Sequence, residues 1–358
     1  MSQYNFTFSE VMTKKTKPYG KDLAFGRYFT DHMFVMEYHH QKGWYDGKII
    51  PHQPLTLDPA SMIFHYGQTV FEGLKAYATK DGEIQLFRPE ENIARLNRSN
   101  ERMCIPQIDP DLALAAIKEL VRIEKDWIPK QEGTSLYIRP FIIATEPYLG
   151  VAPAKQYKFI IILSPVGAYY KEGINPVKIA VETEYIRAIK GGTGEVKTAG
   201  NYAGSLIAQQ KSAAKGYTQV LWLDALEKKY IEEVGSMNVF FKIDGEVITP
   251  ELNGSILPGV TRKSVIQLLK HWNEPVTERR ISIDEVITAH KEGRLEEAFG
   301  AGTAAVISPI GELVCEDNKL VINNGKTGET AKKLYDTLTG IQYGELADPF
   351  NWINKIDV

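Results

Sequence analysis

The sequence predicts an α+β protein of two domains, and three observations lead there. The chain has 358 residues, too long for one typical domain and suited to two. Apolar residues make up 43% and charged residues 24%, the balance of a chain that builds a core. Strand-like and helix-like segments follow one another without the strict alternation of a doubly wound sheet.

The elements are justified in order. Glu83–Arg88 (EIQLFR) alternates apolar and polar residues after a Lys80-Asp81-Gly82 turn, so it reads as a hairpin strand. Asp109-Pro110 caps and starts a helix, and Leu112, Ala116, Ile117, Leu120 and Ile123 recur at helical spacing. Tyr157–Leu163 (YKFIIIL) reads as a buried strand. GAYYKEGINP, residues 167–176, has the Gly and Pro of a connection. The expected division is a small N-terminal α+β domain over 1–168, a linker region over 169–183 and a large C-terminal domain over 184–358.

Val177–Thr183 reads as a strand. A helix is expected from Tyr202 to Lys215, stopped by Gly216. Thr218–Asp224 is a strand, and Asp244-Gly245 joins Met237–Ile243 to Glu246–Ile248 in a tight hairpin. A helix follows Thr261, Ser282-Ile-Asp-Glu285 is a capping box, and Ala304–Pro309 is a strand.

Composition narrows the function. A net charge of -3 gives no bulk attraction to nucleic acid or acidic membranes. Cys104 and Cys315 make no framework and lie in no CxxC, so both are expected as buried or semi-buried thiols. The N-terminus MSQYNFTFSEVMTKK has no signal-peptide pattern. No run approaches the ~18 apolar residues of a membrane span. A cytoplasmic protein is expected. The His residues are scattered, and adjacent His39 and His40 cannot face one metal from a strand or helix, so no metal site is expected.

The stretch GGTGEVKTAGNYAGS, residues 191–205, poses the main question. It resembles a phosphate loop, but Val196 stands where a Walker loop needs Gly, and Lys197 stands where a dinucleotide fingerprint needs Gly. Lys197 is then a solvated lysine or a chemical one. Leu257-Pro-Gly-Val-Thr-Arg262 ends at a helix start, whose free N–H groups suit a phosphate. Phe299-Gly-Ala-Gly-Thr-Ala304 is a second small turn that suits an anion. Ile231-Glu-Glu-Val-Gly-Ser-Met-Asn238 sets carboxylates beside a strand. A lysine, an anion cradle and a carboxylate without metal ligands point to an organic phosphate cofactor.

These segments, with EEVGSMNVFF, LPGVTR and FGAGTAA in that order, resemble the branched-chain amino acid aminotransferases. These are pyridoxal 5'-phosphate enzymes of fold type IV, the D-amino acid aminotransferase-like architecture. FTDHMFVMEY, HYGQTVFEGLKAY, FRPEENIARLNRS and LYIRPFIIATEPYLGVAP carry the same resemblance upstream, from about Lys21 to near Tyr343. It makes the C-terminal domain the pyridoxal-phosphate-binding one. It implies transfer of the amino group of L-leucine, L-isoleucine or L-valine to 2-oxoglutarate, in the sphere of branched-chain amino acid biosynthesis.

The resemblance assigns the residues. Lys197 would be the Schiff-base lysine and move the proton at the substrate α-carbon. Glu233 would sit at the pyridine nitrogen. Strand alternation turns Glu232 to the other face, where a surface carboxylate is expected. Arg95, Val260, Thr261 and Thr303 would hold the phosphate, Tyr202 the phenolic oxygen and Ser236 the ring edge. Tyr66, Phe71, Tyr137 and Tyr169 would form the apolar wall, and Arg139 would meet the glutamate side-chain carboxylate. The amides of Thr303 and Ala304 would hold the α-carboxylate. Leu149 and Val151 would complete the neighbouring subunit's pocket, which implies a homodimer. Either Phe25 or Phe29 would reach the substrate. Ala305 and Ser308 stand where some animal members have a CxxC, so no thiol switch is expected. D-amino acid aminotransferase, aminodeoxychorismate lyase and a cofactor-free binding protein are the alternatives.

Overall fold

The computed structural model describes residues 4–18, 23–167 and 174–357, and the chain divides into two units. The first takes Met1–Tyr169, Val196–Ala199 and Gly340–Val358, and the second takes Tyr170–Glu195 and Gly200–Thr339. The N-terminal unit, expected to be the small one, is the longer of the two because it also claims the C-terminus. Tyr169 and the Gly- and Pro-bearing connection around it lie largely outside the described residues.

The first unit contains β1 (Thr7–Phe8), β2 (His32–His39), β3 (Gly43–Pro51), α1 (Met62–Tyr66), β4 (Thr69–Phe71), β5 (Leu74–Ala78), β6 (Ile84–Phe87), α2 (Pro89–Arg102), α3 (Pro110–Ile123), β7 (Ser135–Ala144) and β8 (Gln156–Val166). Its sheet runs β1-β3-β2-β8-β7-β5-β6 and ends on the last strand of the chain, β18 (Ile353–Ile356), while β4 pairs with β7. The long β7–β8 pairing keeps register from Ser135↔Val166 to Ala144↔Tyr157. One face of this sheet buries Phe34, Leu74, Ala76, Leu136, Ile138 and Phe159 with α2 and α3 residues Ile93, Leu96, Ala116, Ile117 and Leu120. The other face of β5 and β7 is left to Lys75, Tyr137 and Arg139 by the two-residue period. Asp109 caps α3 by accepting the Asp111 N–H, and Pro110 opens the first turn, as the sequence predicts.

The second unit contains β9 (Val177–Glu182), all but the first residue of α4 (Ala199–Ala203), α5 (Leu206–Ala214), β10 (Gln219–Leu223), β11 (Ile231–Val234), β12 (Met237–Ile243), β13 (Glu246–Thr249), α6 (Val260–His271), β14 (Val276–Glu278), α7 (Ile283–Lys291), β15 (Leu295–Gly302), β16 (Val306–Cys315), β17 (Asn318–Val321) and, up to Thr339, α8 (Glu329–Gln342). Its sheet runs β11-β10-β9-β16-β15-β12-β13-β14, with β17 on β16 and a further β11–β12 pairing. Ile179, Leu221, Val239, Phe241, Val286 and Ala289 form the core of one face. Phe240 and Phe299 stack at 5.2 Å, and deleting either ring should cost about 3–5 kcal/mol.

Four sequence expectations are corrected here. Val177–Glu182 is no part of a linker: β9 is an interior strand, paired with β10 and β16. The helix expected over 202–215 is two, α4 and α5, because the Ser205 hydroxyl donates to the Tyr202 carbonyl at 2.8 Å and competes with the helical ladder beside Gly204. The strand expected from Ala304 starts at Val306, since 303–305 form a turn. Cys104 is exposed, although Cys315 is buried as expected. The capping box is half made: Ser282 accepts the Glu285 N–H at 3.1 Å, while the Glu285 carboxylate pairs with Arg279. The Asp244-Gly245 hairpin has both residues at positive φ, 52° and 78°, as a tight turn of this type requires.

Candidate active site

In the first unit the chemistry gathers on β4 and β7. Val196–Ala199 adds a short bridge to this unit, with Val70 opposite Thr198. The Phe71 N–H donates to the Lys197 carbonyl at 3.0 Å, and the Lys197 N–H donates to the Ser99 hydroxyl at 3.0 Å. The Thr198 hydroxyl donates to the Thr69 carbonyl at 2.7 Å. The backbone of Lys197 is thus fixed on both sides, and its half-buried side chain brings Nζ to 4.7 Å from the Phe71 ring centre. Arg139 comes to the same ring, Cζ at 4.6 Å. Its Nη2 donates to the Tyr137 hydroxyl at 3.0 Å. Arg139 Nε is buried and has no partner among the described residues.

Tyr137 fits only because Gly73 has no side chain, since a Cβ there would lie 2.0 Å from the tyrosine oxygen. Phe25 packs edge-on against Tyr137 at 4.9 Å, whereas Phe29 stacks on His52 at 5.3 Å. Of the two phenylalanines left open by the sequence, Phe25 joins this cluster.

Arg95 is buried on α2, and its Nε and Nη2 donate to the two carboxylate oxygens of Glu72 at 2.7 and 2.9 Å. Asn92 donates to Glu72 at 2.8 Å. Burial alone would push the Glu72 carboxyl up. Arg95 first, then Lys197 and Asn92, outweigh it and hold the carboxyl below its usual range. Tyr66 is partly exposed and donates to the Leu149 carbonyl. Leu149 and Val151 are exposed to 61% and 88%.

In the second unit the β11–β12 hairpin and the start of α6 form one construction. Glu233 and Asn238 are register partners. Glu233 Oε1 accepts the Leu257 N–H at 2.7 Å, and Asn238 Nδ2 donates to the Leu257 carbonyl at 2.9 Å. One loop residue is therefore held from both ends, and α6 begins three residues later with Gly259 as its cap. A Cβ on Gly259 would sit 2.1 Å from Asn238 Oδ1. Among the described residues, α6 is the one helix of twelve or more residues with no acidic residue in its first turn. It also has no side-chain cap. Its first N–H groups, beginning with those of buried Val260 and Thr261, suit an external anion.

Arg187 pairs with Glu233 at 3.1 Å, and its Nη2 also donates to the Gly194 carbonyl at 2.9 Å and to the Ser255 carbonyl. Thr303 and Ala304 lie half-buried in the turn between β15 and β16. Val306, which closes this turn, has φ 62°. A β-branched residue in the left-handed region stores strain, and such strain gathers at binding turns. Ser236 is exposed in the β11–β12 turn, and Tyr202 is half-buried on α4.

Glu232 corrects the sequence reading. It is 3% exposed, because β11 is buried on both faces and alternation carries a side chain to a second interior instead of to water. Sequence reasoning also missed Glu72, Ser99 and Arg187. Glu72 lies in the quoted FEG motif, but its partner is 23 residues away. Arg187 has no local signal at all.

A model of the family described as Amino-transferase class IV matches residues 69–313. The chain belongs to this family. Among class IV aminotransferases and their relatives, it is 69% identical over 356 residues to branched-chain-amino-acid aminotransferase 2 of Bacillus subtilis, covering 99% of this chain and 98% of that one. It is 59% identical to branched-chain-amino-acid transaminase 1 of the same organism, over 96% of each chain. The crystal structure of the Escherichia coli branched-chain amino acid aminotransferase superposes with a TM-score of 0.78 at 26% identity, over 91% of this chain and 99% of that one. The T.th. branched-chain amino acid aminotransferase, solved with pyridoxamine 5'-phosphate, superposes with a TM-score of 0.74 at 26% identity, over 90% and 98%. The class IV aminotransferase fold expected from the sequence is the fold found. Among the described residues no group could hold a metal ion and no helix is long and apolar enough to cross a membrane.

Proposed function

We propose that this class IV aminotransferase moves the amino group of L-leucine, L-isoleucine or L-valine to 2-oxoglutarate with pyridoxal 5'-phosphate. The observation that carries the reading is the Phe71 ring with the Lys197 amine and the Arg139 guanidinium both against it. An amine for transfer, an aromatic surface for an aliphatic side chain and a cation for a second carboxylate are what the two half-reactions need.

The residues present fit the cofactor. The α6 start, without acid or side-chain cap, suits its phosphate through Val260 and Thr261. Buried Glu233, held by Leu257 and Arg187, suits its ring nitrogen. When bound, pyridoxal phosphate supplies a carbonyl carbon for amines and a ring that draws electrons from the substrate α-carbon. Lys197 supplies the amine and moves the proton at that carbon, with its backbone held still by Phe71 and Ser99. Beside the ring nitrogen, an ionised Glu233 would favour the protonated form of the ring. Arg95 contributes a guanidinium whose plane Glu72 fixes. Thr303 adds to the phosphate site, Tyr202 to the phenolic oxygen and Ser236 to the ring edge. Tyr66, Phe71 and Tyr137 would wall the substrate, together with Tyr169, which lies outside the described residues, and Thr303 and Ala304 would offer amides to its α-carboxylate.

The exposed Tyr148, Leu149 and Val151 support a homodimer in which this loop serves the partner. The cytoplasm is the proposed place of work, since two cysteines far apart in sequence suit a reducing compartment.

Borohydride reduction of the protein with pyridoxal phosphate should fix the cofactor on Lys197, located by peptide mass spectrometry. A substrate panel with 2-oxoglutarate should then rank the branched-chain amino acids above other aliphatic ones. A protein that stays colourless and yields no adduct would sink the reading.

A further inference from the structure

Glu232 is a buried carboxyl to which the catalytic reading gives no task. Its Oε1 contacts the Ser255 hydroxyl, and its Oε2 is buried without a partner among the described residues. The Ser255 hydroxyl also lies 2.7 Å from Asn253 Oδ1. That amide is oriented, because Oδ1 accepts the Ser255 backbone N–H at 3.0 Å. Asn253 therefore presents oxygen, not NH2, to the hydroxyl.

A hydroxyl has one proton to give. If Glu232 were ionised, Ser255 would face two acceptors with one donor, and one close oxygen pair would repel. The buried Oε2 would also be half of an anion with no hydrogen-bond donor of its own among the described residues, which is costlier than an unpaired neutral carbonyl. One added proton on Glu232 Oε1 resolves both problems.

The surrounding charges agree. Arg187 and Glu233 lie closest, and the Lys190 and Glu195 side chains flank Gly254. Burial pushes the Glu232 carboxyl above its usual range. Ser255, Arg187 and, least, the Asn253 side chain oppose that shift, and the charge of Glu233 adds to it. Arg187 is one cation between two acids, and its Nη2 goes to Glu233.

We propose that Glu232 is a protonated carboxylic acid that positions Glu233, donating through Ser255 to Asn253 so that the charge of Arg187 serves Glu233 alone. The relay runs Glu232 Oε1–H to Ser255 Oγ, and Ser255 Oγ–H to Asn253 Oδ1. It locks Ser255, whose carbonyl holds Arg187, which in turn holds Glu233. The protonation follows from these hydrogen bonds, while the consequence for turnover rests on the role proposed for Glu233.

Infrared difference spectroscopy of wild type against Glu232→Gln, on protein without cofactor at neutral pH, tests the proton. A protonated-carboxyl carbonyl band present in wild type and absent in the variant is the expected result. Loss of ionised-carboxylate bands instead overturns the proposal. Kinetics test the positioning. Glu232→Ala should lose about tenfold in kcat/KM and shift the acid limb of its pH profile, and Glu232→Gln, which keeps a neutral donor, should restore most of both. Equal losses in the two variants overturn the positioning role. If the alanine variant fails to fold, the infrared band and the glutamine variant alone decide. A wild type with the band but no transamination separates failure of the aminotransferase reading from failure of the relay.

Discussion

Glu72 and Arg95 hold each other inside the first unit, and neither has water to fall back on. Glu72→Gln leaves the Arg95 charge uncompensated and should cost about 3–5 kcal/mol, read as a lower denaturant midpoint. The pair also sets an acid limit. The folded carboxyl titrates below its usual range, so its stabilisation is complete above the ordinary glutamate value of about 4.3. It is lost as pH falls through the depressed folded value. Acid unfolding of the Gln variant should lack this contribution. Arg139 makes a different prediction, because its donors serve Tyr137 and leave Nε unmatched in the interior. Arg139→Ala should lower kcat/KM for glutamate by on the order of a hundredfold, the worth of a charge-assisted contact. The loss for leucine should be several-fold only. Equal losses would make Arg139 a scaffold residue. Lys197 and Glu233 could be singled out in the sequence because their motifs are local runs. Arg187 could not, since an ion pair across 46 positions leaves no trace in spacing, and Glu232 was misread because alternation says nothing about whether the far side of a strand is wet.

At the scale of elements, the α6 start depends on a missing side chain. Gly259 has φ −69°, which any residue can adopt. Gly259→Ala should therefore act by collision with Asn238 Oδ1, not by backbone strain. We expect about tenfold weaker retention of pyridoxal phosphate and about 1–3 kcal/mol of lost stability, measured by cofactor titration and thermal melts. Unchanged retention would move the phosphate away from α6. Strand β5 carries a second test. Lys75, opposite Tyr137 in the β5–β7 ladder, is buried, and that burial lowers its pKa to about 8. A lysine with a depressed folded value costs stability while protonated. Stability should rise from pH of about 8 toward the unfolded value of about 10.4. Lys75→Met should remove that rise and gain on the order of 2–3 kcal/mol at neutral pH, read from denaturant midpoints across pH. Hairpins and capped helices such as Asp244-Gly245 and Asp109-Pro110 were legible because their signals are chemical and short-range. The split between α4 and α5 was hidden, since it comes from one serine hydroxyl choosing a backbone carbonyl.

Across the whole molecule, the two units do not follow the order of the chain. The first unit reclaims residues after Thr339, and with them β18, the Tyr343 hydroxyl bound to the Thr134 carbonyl, and the Ile341 and Gln342 carbonyls that receive Gln85. Removing 340–358 should expose the β6 edge and make the N-terminal segment, not the second unit, the first to be cut in limited proteolysis. Preferential cutting within 200–339 would contradict this. Chain length suggested two domains but could not show such a return, because sheet order is set by pairings far apart in the chain. The same interleaving fixes Lys197. Its Cα belongs to the first unit through only four residues, Val196–Ala199, yet main-chain hydrogen bonds hold it on either side. The amine is thereby a tethered reagent, confined to the small volume its own side chain can sweep. Its effective molarity must exceed that of any dissolved amine by orders of magnitude. Added methylamine should therefore rescue Lys197→Ala only feebly, even where it fits.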